Sequence, residues 1–98
     1  MAIKTITTQA GAEALALEAL GWIAGREEAL GGLLGVSGMA PDALRARAAD
    51  PEFLGFVLDF LMQDEAMLCG FAADLGVSPE APMRARALLP GGAAPHWT

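Results

Sequence analysis

Apolar residues along most of this chain recur every three or four positions, and helix start and stop signals divide it about every 12 to 15 residues. The strict apolar-polar alternation of a half-buried strand is limited to a weak pattern at Ile3 and Thr5. The pattern therefore predicts an all-α fold. We expect a compact orthogonal bundle of five or six short helices.

Capping residues locate these helices in the sequence. The first helix is predicted over residues 9–24 behind Thr7 or Thr8, and the second over residues 26–34, closed by Gly35. The other four begin at proline or aspartate signals near residues 41, 51, 65 and 79.

The most apolar predicted helix contains the stretch 53–61, with three phenylalanines. At about 100° per residue, its polar positions Gly55, Asp59 and Gln63 occupy one narrow stripe, and the rest of its surface is apolar. A helix of this kind is buried on nearly every side. We therefore predict that it forms the centre of the core.

Asp59 is the carboxylate on that helix, and even its polar stripe is expected to be partly covered. A covered carboxylate needs a partner. Arg45 or Arg47, one helix earlier, is the predicted partner in a structural ion pair. We expect Asp59→Ala to destabilise the fold more than Asp74→Ala.

The tetrapeptide Leu-Gly-Val-Ser occurs twice, at residues 34–37 and 75–78, and each copy is followed by Arg-Ala-Arg. One interpretation is a duplication that produced two degenerate three-helix repeats. The alternative is that two unrelated helix ends use the same chemistry. In that case glycine supplies a positive φ and serine caps the next helix.

Residues 65–89 also resemble a helix-turn-helix, because Ala72 and Gly76 fit its first helix and turn. However, Pro79 and Pro82 occupy the start of the next helix, where a DNA-reading protein carries polar side chains. A DNA-binding or regulatory helix-turn-helix module is therefore kept only as the alternative function.

Length and charge narrow the classes of protein further. Ninety-eight residues suffice for one modest core, so we predict a single helical domain at 9–89, a flexible N-terminal segment at 1–8 and a disordered tail at 90–98. Twelve acidic residues against six basic ones give a net charge of −6. This charge disfavours nucleic acid and anionic membranes as partners.

No stretch is apolar enough to span a bilayer, and the first residues lack the apolar run of a secretory signal. The single Cys69 lies in an apolar helical stretch, where we expect a small buried hydrophobic side chain. These features predict a cytoplasmic protein.

Enzyme chemistry has little support in the sequence. The only histidine is His96, near the chain end, and there is no tyrosine and no second cysteine. Asp59, Asp64 and Glu65 are too few for a cation site, and the last two are interpreted as an N-cap and a first-turn charge. We predict no catalytic residue, no metal, no cofactor and no small-molecule substrate.

An apolar excess remains, together with methionines near the predicted helix ends. Exposed methionines suit an adaptable contact surface. The candidate contact residues are Met62, Met39, Met83, Arg84 and Arg86. The predicted function is therefore a non-enzymatic protein-protein interaction or self-association module, with another protein or a second copy of the chain as partner.

Taken over residues 10–88, the chain resembles a small bacterial family of about 100 residues, classed as a domain of unknown function. The resemblance is carried by the order and spacing of Pro41-Asp42-Ala43-Leu44-Arg45, Asp50-Pro51, Phe53-Leu54, Val57-Leu58-Asp59-Phe60, Asp64-Glu65, Phe71 and Gly76. It implies a compact helical domain. No activity, ligand or catalytic residue comes with it.

Overall fold

Six helices cover most of residues 8–90, the part of the chain that the computed structural model describes. They are Gln9–Ala24 (α1), Glu27–Ser37 (α2), Pro41–Arg47 (α3), Pro51–Met62 (α4), Glu65–Leu75 (α5) and Ala81–Ala87 (α6). No strand occurs in residues 8–90, so the predicted all-α fold is confirmed. The predicted flexible segment and disordered tail lie, except for Thr8 and Pro90, outside the described residues.

Side-chain caps begin three of the helices at the predicted places. The Thr8 hydroxyl accepts a hydrogen bond from the Gly11 amide at 3.0 Å. The Asp50 and Asp64 carboxylates accept from backbone amides two and three residues further on, at 3.0 and 3.1 Å. Each cap satisfies an amide that the first helical turn leaves without a partner.

The last helix begins at Ala81, later than the predicted start near residue 79. Proline in a helix interior clashes with the carbonyl four residues earlier, but it is tolerated in the first turn. The later start keeps Pro82 in that turn. Ser78 to Glu80 form a turn instead, in which the Ala81 amide donates to the Ser78 carbonyl at 2.9 Å.

The two Leu-Gly-Val-Ser copies adopt different structures. The first lies entirely inside α2, which ends only at Gly38, so the predicted end at Leu34 and Gly35 was wrong. The second copy ends α5 as predicted, with Gly76 in the left-handed region at φ 71°. A glycine inside a helix costs only about 0.5–1 kcal/mol, which α2 tolerates.

The two helix ends also use different hydrogen bonds. At the end of α2, the Gly38 amide donates to the Leu34 carbonyl at 2.9 Å. At the end of α5, the Val77 amide donates to Ala72 and the Gly76 amide to Ala73, which is the Schellman arrangement. The repeated tetrapeptide therefore does not mark a repeated helix joint.

Helices α1, α4 and α6 pack against one another, while α2 packs on α1 and α5 on α4. This arrangement makes α4 central, as its apolar surface predicts. The buried side chains are apolar, and the largest are Phe71, Leu15, Ile23, Leu33, Leu58, Leu61, Val57 and Pro82. Within residues 8–90 no polar or charged residue is buried.

The radius of gyration is 12.8 Å, close to the roughly 13 Å of a folded chain of about 100 residues. Within the described residues, no helix combines the length and hydropathy needed to cross a membrane.

Candidate functional site

The predicted ion pair of Asp59 exists with a different arginine. Arg86 on α6 donates from Nε to Asp59 Oδ1 at 2.8 Å and from Nη1 to the Pro90 carbonyl at 3.0 Å. The prediction of Arg45 or Arg47 as the partner was wrong, because α6, not α3, packs along this side of α4. Only 19% of the Arg86 side chain is exposed.

Gly55, one helical turn before Asp59, explains how Arg86 reaches α4. A Cβ atom at Gly55 would lie 2.6 Å from Arg86 Nη1 and 3.0 Å from its Cζ. The glycine therefore leaves the space that the guanidinium fills. Two members of the predicted polar stripe of α4, Gly55 and Asp59, therefore contact Arg86 of α6 and have a structural role.

The other predicted arginines, Arg45 and Arg47, lie in the last turn of α3. Arg47 donates from Nε and Nη2 to Asp50 Oδ2 at 3.0 and 2.6 Å, and its guanidinium lies 5.5 Å from the Phe53 ring centroid. This bond and the Glu52 amide lower the pKa of the Asp50 carboxyl below its usual value. Arg45 is exposed, and its side chain forms no ion pair or hydrogen bond within residues 8–90.

The predicted contact residues do not form one surface. Met62 packs against the core, and Met39 lines a groove beside Val36 and Phe56. Met83 projects from α6 with 60% of its surface exposed, and Arg84 beside it pairs with Glu80 at 3.5 Å. Arg86 serves the core contact described above.

A cluster at the end of α1 was not predicted. Trp22 Nε1 and Arg26 Nη2 both donate to Asp74 Oδ2 at 2.7 Å, and the Arg26 guanidinium lies 3.9 Å above the Trp22 ring. Phe71 meets the same ring edge-on at 5.8 Å. Because these polar groups already satisfy one another across α1 and α5, the cluster has a structural role.

The geometry of α5 and α6 differs from a DNA-reading pair. A recognition helix presents its first turn to the groove, with polar side chains at base edges. Here Ala81 and Pro82 in that turn are buried, and the helix spans only 7 residues. The outward residues Met83 and Arg84 offer one cation, which already faces Glu80.

The acidic residues and Cys69 are distributed over the surface of the described part of the chain. In residues 8–90, no three His, Cys, Asp or Glu residues are grouped so as to hold a metal ion. Cys69 is exposed, so the prediction of a buried thiol was wrong. On α5, Phe71 and Ala72 face the core, and Cys69 lies outside the arc that they bury.

The outer face of α1 is apolar and is left exposed by the rest of residues 8–90. Its buried face is formed by Ala12, Leu15, Ala16, Ala19, Leu20 and Ile23. A second apolar stripe, at spacings of four and three residues, is exposed, and it consists of Ala10, Ala14, Leu17, Gly21 and Ala24. Leu17 at its centre is 49% exposed. A helix that is apolar on both faces is typically covered on both.

Helix α3 and the following turn extend this stripe into a wider surface, which we call the α1–α3 face. Two grooves of about 450 and 460 Å³ meet there, and Leu17 and Arg45 line both. The remaining lining residues are mostly apolar or small: Leu20, Gly21, Ala24, Leu30, Pro41, Leu44, Ala10, Glu13, Ala14, Ala48, Ala49 and Leu54. The spacing of the stripe is visible in the sequence. It was not predicted as a surface because four of its five residues are alanine or glycine.

These features define the class: an all-α domain with an apolar core, no metal-binding group of side chains within residues 8–90, and one broad apolar face. The chain belongs to the family described as Protein of unknown function (DUF3572), whose model matches residues 9–92. The resemblance to a family of unknown function is thereby confirmed. No curated protein and no solved structure shows significant similarity to the chain.

Proposed function

We propose that this domain is a non-enzymatic protein-interaction module and that the α1–α3 face is its contact surface. The observation that carries the proposal is Leu17, a half-exposed large apolar side chain at the meeting point of two apolar grooves. Isolated exposed apolar residues are common, but a continuous apolar face is typical of contact surfaces.

Arg45 adds specificity to this surface. It is exposed beside Leu17, and within residues 8–90 it has no carboxylate partner. The four other arginines in this range are each paired with an acidic residue. A partner that fits the face therefore presents apolar side chains with an acidic group beside them.

A photo-cross-linking amino acid in place of Leu17 tests the proposal in the native cell. The matched control carries it in place of Met83, an equally prominent apolar side chain on α6. We expect a discrete cross-linked protein, whether a second copy or another chain, from position 17 only. No product from position 17, or the same products from both positions, would overturn the proposal.

A further inference from the structure

We propose that the occupant of the α1–α3 face is a second copy of this chain, held by antiparallel packing of the two α1 helices about a two-fold axis at Leu17. The inference rests on the proposed function and specifies its partner. Three observations carry it: the symmetry of the stripe, an unexplained glycine, and the charges beside the stripe.

The apolar stripe of α1 has small residues on both sides of Leu17, so it can pack against the same stripe of a second, antiparallel copy. Antiparallel pairing about Leu17 sets Leu17 against itself and Ala10 against Ala24, and it brings Ala14 within one residue's rise, about 1.5 Å, of the level of Gly21. A two-fold contact requires this property, since each copy presents the same patch to the other. Small side chains on both sides of a central leucine allow the helix axes to approach closely, near the lower end of the usual 8–10 Å.

No contact within residues 8–90 explains the glycine at position 21. It lies within α1, its φ is not positive, and a Cβ atom there would meet nothing within 4 Å. A glycine inside a helix is less favourable than alanine, so folding of the single chain does not favour it. A helix packed closely against this position from outside gives the glycine a function. Gly31 in α2 is equally open but lies outside the stripe, and it provides a matched control.

The charges on the α1–α3 face are complementary to those of a second copy. Glu13 and Arg45 line the same groove, on one side of the Leu17 stripe. Reversal about Leu17 keeps that side facing the same side of the other copy. The Arg45 guanidinium of each copy then faces Glu13 of the other, which supplies the acidic group that Arg45 lacks. Alternating charges of this kind set the register of an interface.

Sedimentation equilibrium of the purified full chain, from micromolar to millimolar concentration, tests the dimer. We expect reversible dimerisation, and Leu17→Glu should weaken it more than about tenfold, as for a central contact residue. Gly21→Ala should also weaken dimerisation while raising the thermal midpoint of the monomer. Met83→Glu and Gly31→Ala should leave the dissociation constant unchanged, and circular dichroism verifies that every variant is folded.

The charge contact is tested by reversing it. Arg45→Glu should weaken the dimer, and combining it with Glu13→Arg should restore most of the loss. A chain that stays monomeric at all concentrations, or a dimer that Leu17→Glu leaves intact, overturns the inference. If the chain is monomeric but position 17 still cross-links another protein, the proposed function stands and only the second copy is wrong. If position 17 captures nothing, both fail.

Discussion

Among the ion pairs of residues 8–90, Arg86 has the most covered charged side chain, at 19% exposure. Its guanidinium is held between Asp59 and the Pro90 carbonyl, above the space that Gly55 leaves. A covered cation is costly when it loses its acceptor, whereas an exposed pair contributes little. The contribution of each carboxylate to the free energy of unfolding therefore depends on how far its arginine partner is shielded from solvent.

This difference predicts that Asp59→Ala destabilises the fold more than Asp74→Ala. The first change leaves Arg86 largely covered with one neutral acceptor, and we expect a loss of about 1–2 kcal/mol. The second leaves Arg26, which is 46% exposed and stays above the Trp22 ring, so the loss is about 0–1 kcal/mol. Urea denaturation of the two variants measures the difference. Equal unfolding midpoints would contradict it.

The lowered pKa of Asp50 predicts that the stability of the fold depends on pH in the acidic range. Because the Arg47 side chain and the Glu52 amide lower its pKa in the folded state, ionised Asp50 stabilises the fold above its unfolded pKa of about 3.9. That contribution is lost as the pH falls through the lower, folded pKa. Asp50→Asn keeps a good cap without the charge. Its stability deficit against the natural chain should shrink below about pH 4 in thermal melts. A deficit independent of pH would contradict this explanation.

At the scale of the helices, the repeated tetrapeptide Leu-Gly-Val-Ser has a different structure in α2 and in α5. In α2 its residues form the last helical turn, with the Ser37 hydroxyl accepting from the Met39 amide at 3.2 Å. In α5 they cross the helix end, where Gly76 adopts a positive φ. The difference arises because α2 has a second glycine three residues later, at Gly38. A glycine near a helix end is therefore a possible C-terminal residue, and the residues that follow it determine whether the helix ends there or at a later glycine.

The two glycines of the repeated tetrapeptide should therefore respond oppositely to alanine. Gly76→Ala places a Cβ on a left-handed backbone and should destabilise the fold by about 1–2 kcal/mol. Gly35→Ala adds a helix-favouring residue in open space and should stabilise it by about 0.5–1 kcal/mol. Thermal unfolding of both variants tests this. Losses of similar size would indicate that both copies end a helix.

At the scale of the whole molecule, helices from opposite ends of the chain share one core. α1 packs against both α4 and α6, and α4 packs against α6. Residues buried in and after α6 include Ala81, Pro82, Ala85 and Leu89. The contacts of α1 with α4 and α6 join the two halves of the chain, so the two halves share one core.

A chain shortened to residues 1–78 should therefore lose cooperative unfolding. Its α1 and α4 helices would expose the surfaces that α6 covers. Circular dichroism melts and amide NMR dispersion measure the effect, with a chain of residues 1–90 as the control. A sharp, cooperative melt of the shorter chain would contradict the shared core.

The sequence by itself determined the features that depend on residues a few positions apart. Caps at Thr8, Asp50 and Asp64, the stop at Gly76 and the helical class all follow from local backbone chemistry, and the structure confirms them. Such contacts form within one helical turn, so the residue types in that turn suffice to predict them.

Only the tertiary structure decided which distant residues meet. Asp59 and Arg86 are 27 positions apart, and Trp22 and Asp74 are 52 apart. Their pairing depends on which helices pack side by side, and so does the exposure of Cys69 and Leu17. Each helix carries more apolar surface than one neighbour covers, so its periodicity leaves the choice of neighbour open. The arrangement that buries the apolar faces of all six helices at once determines which helices become neighbours.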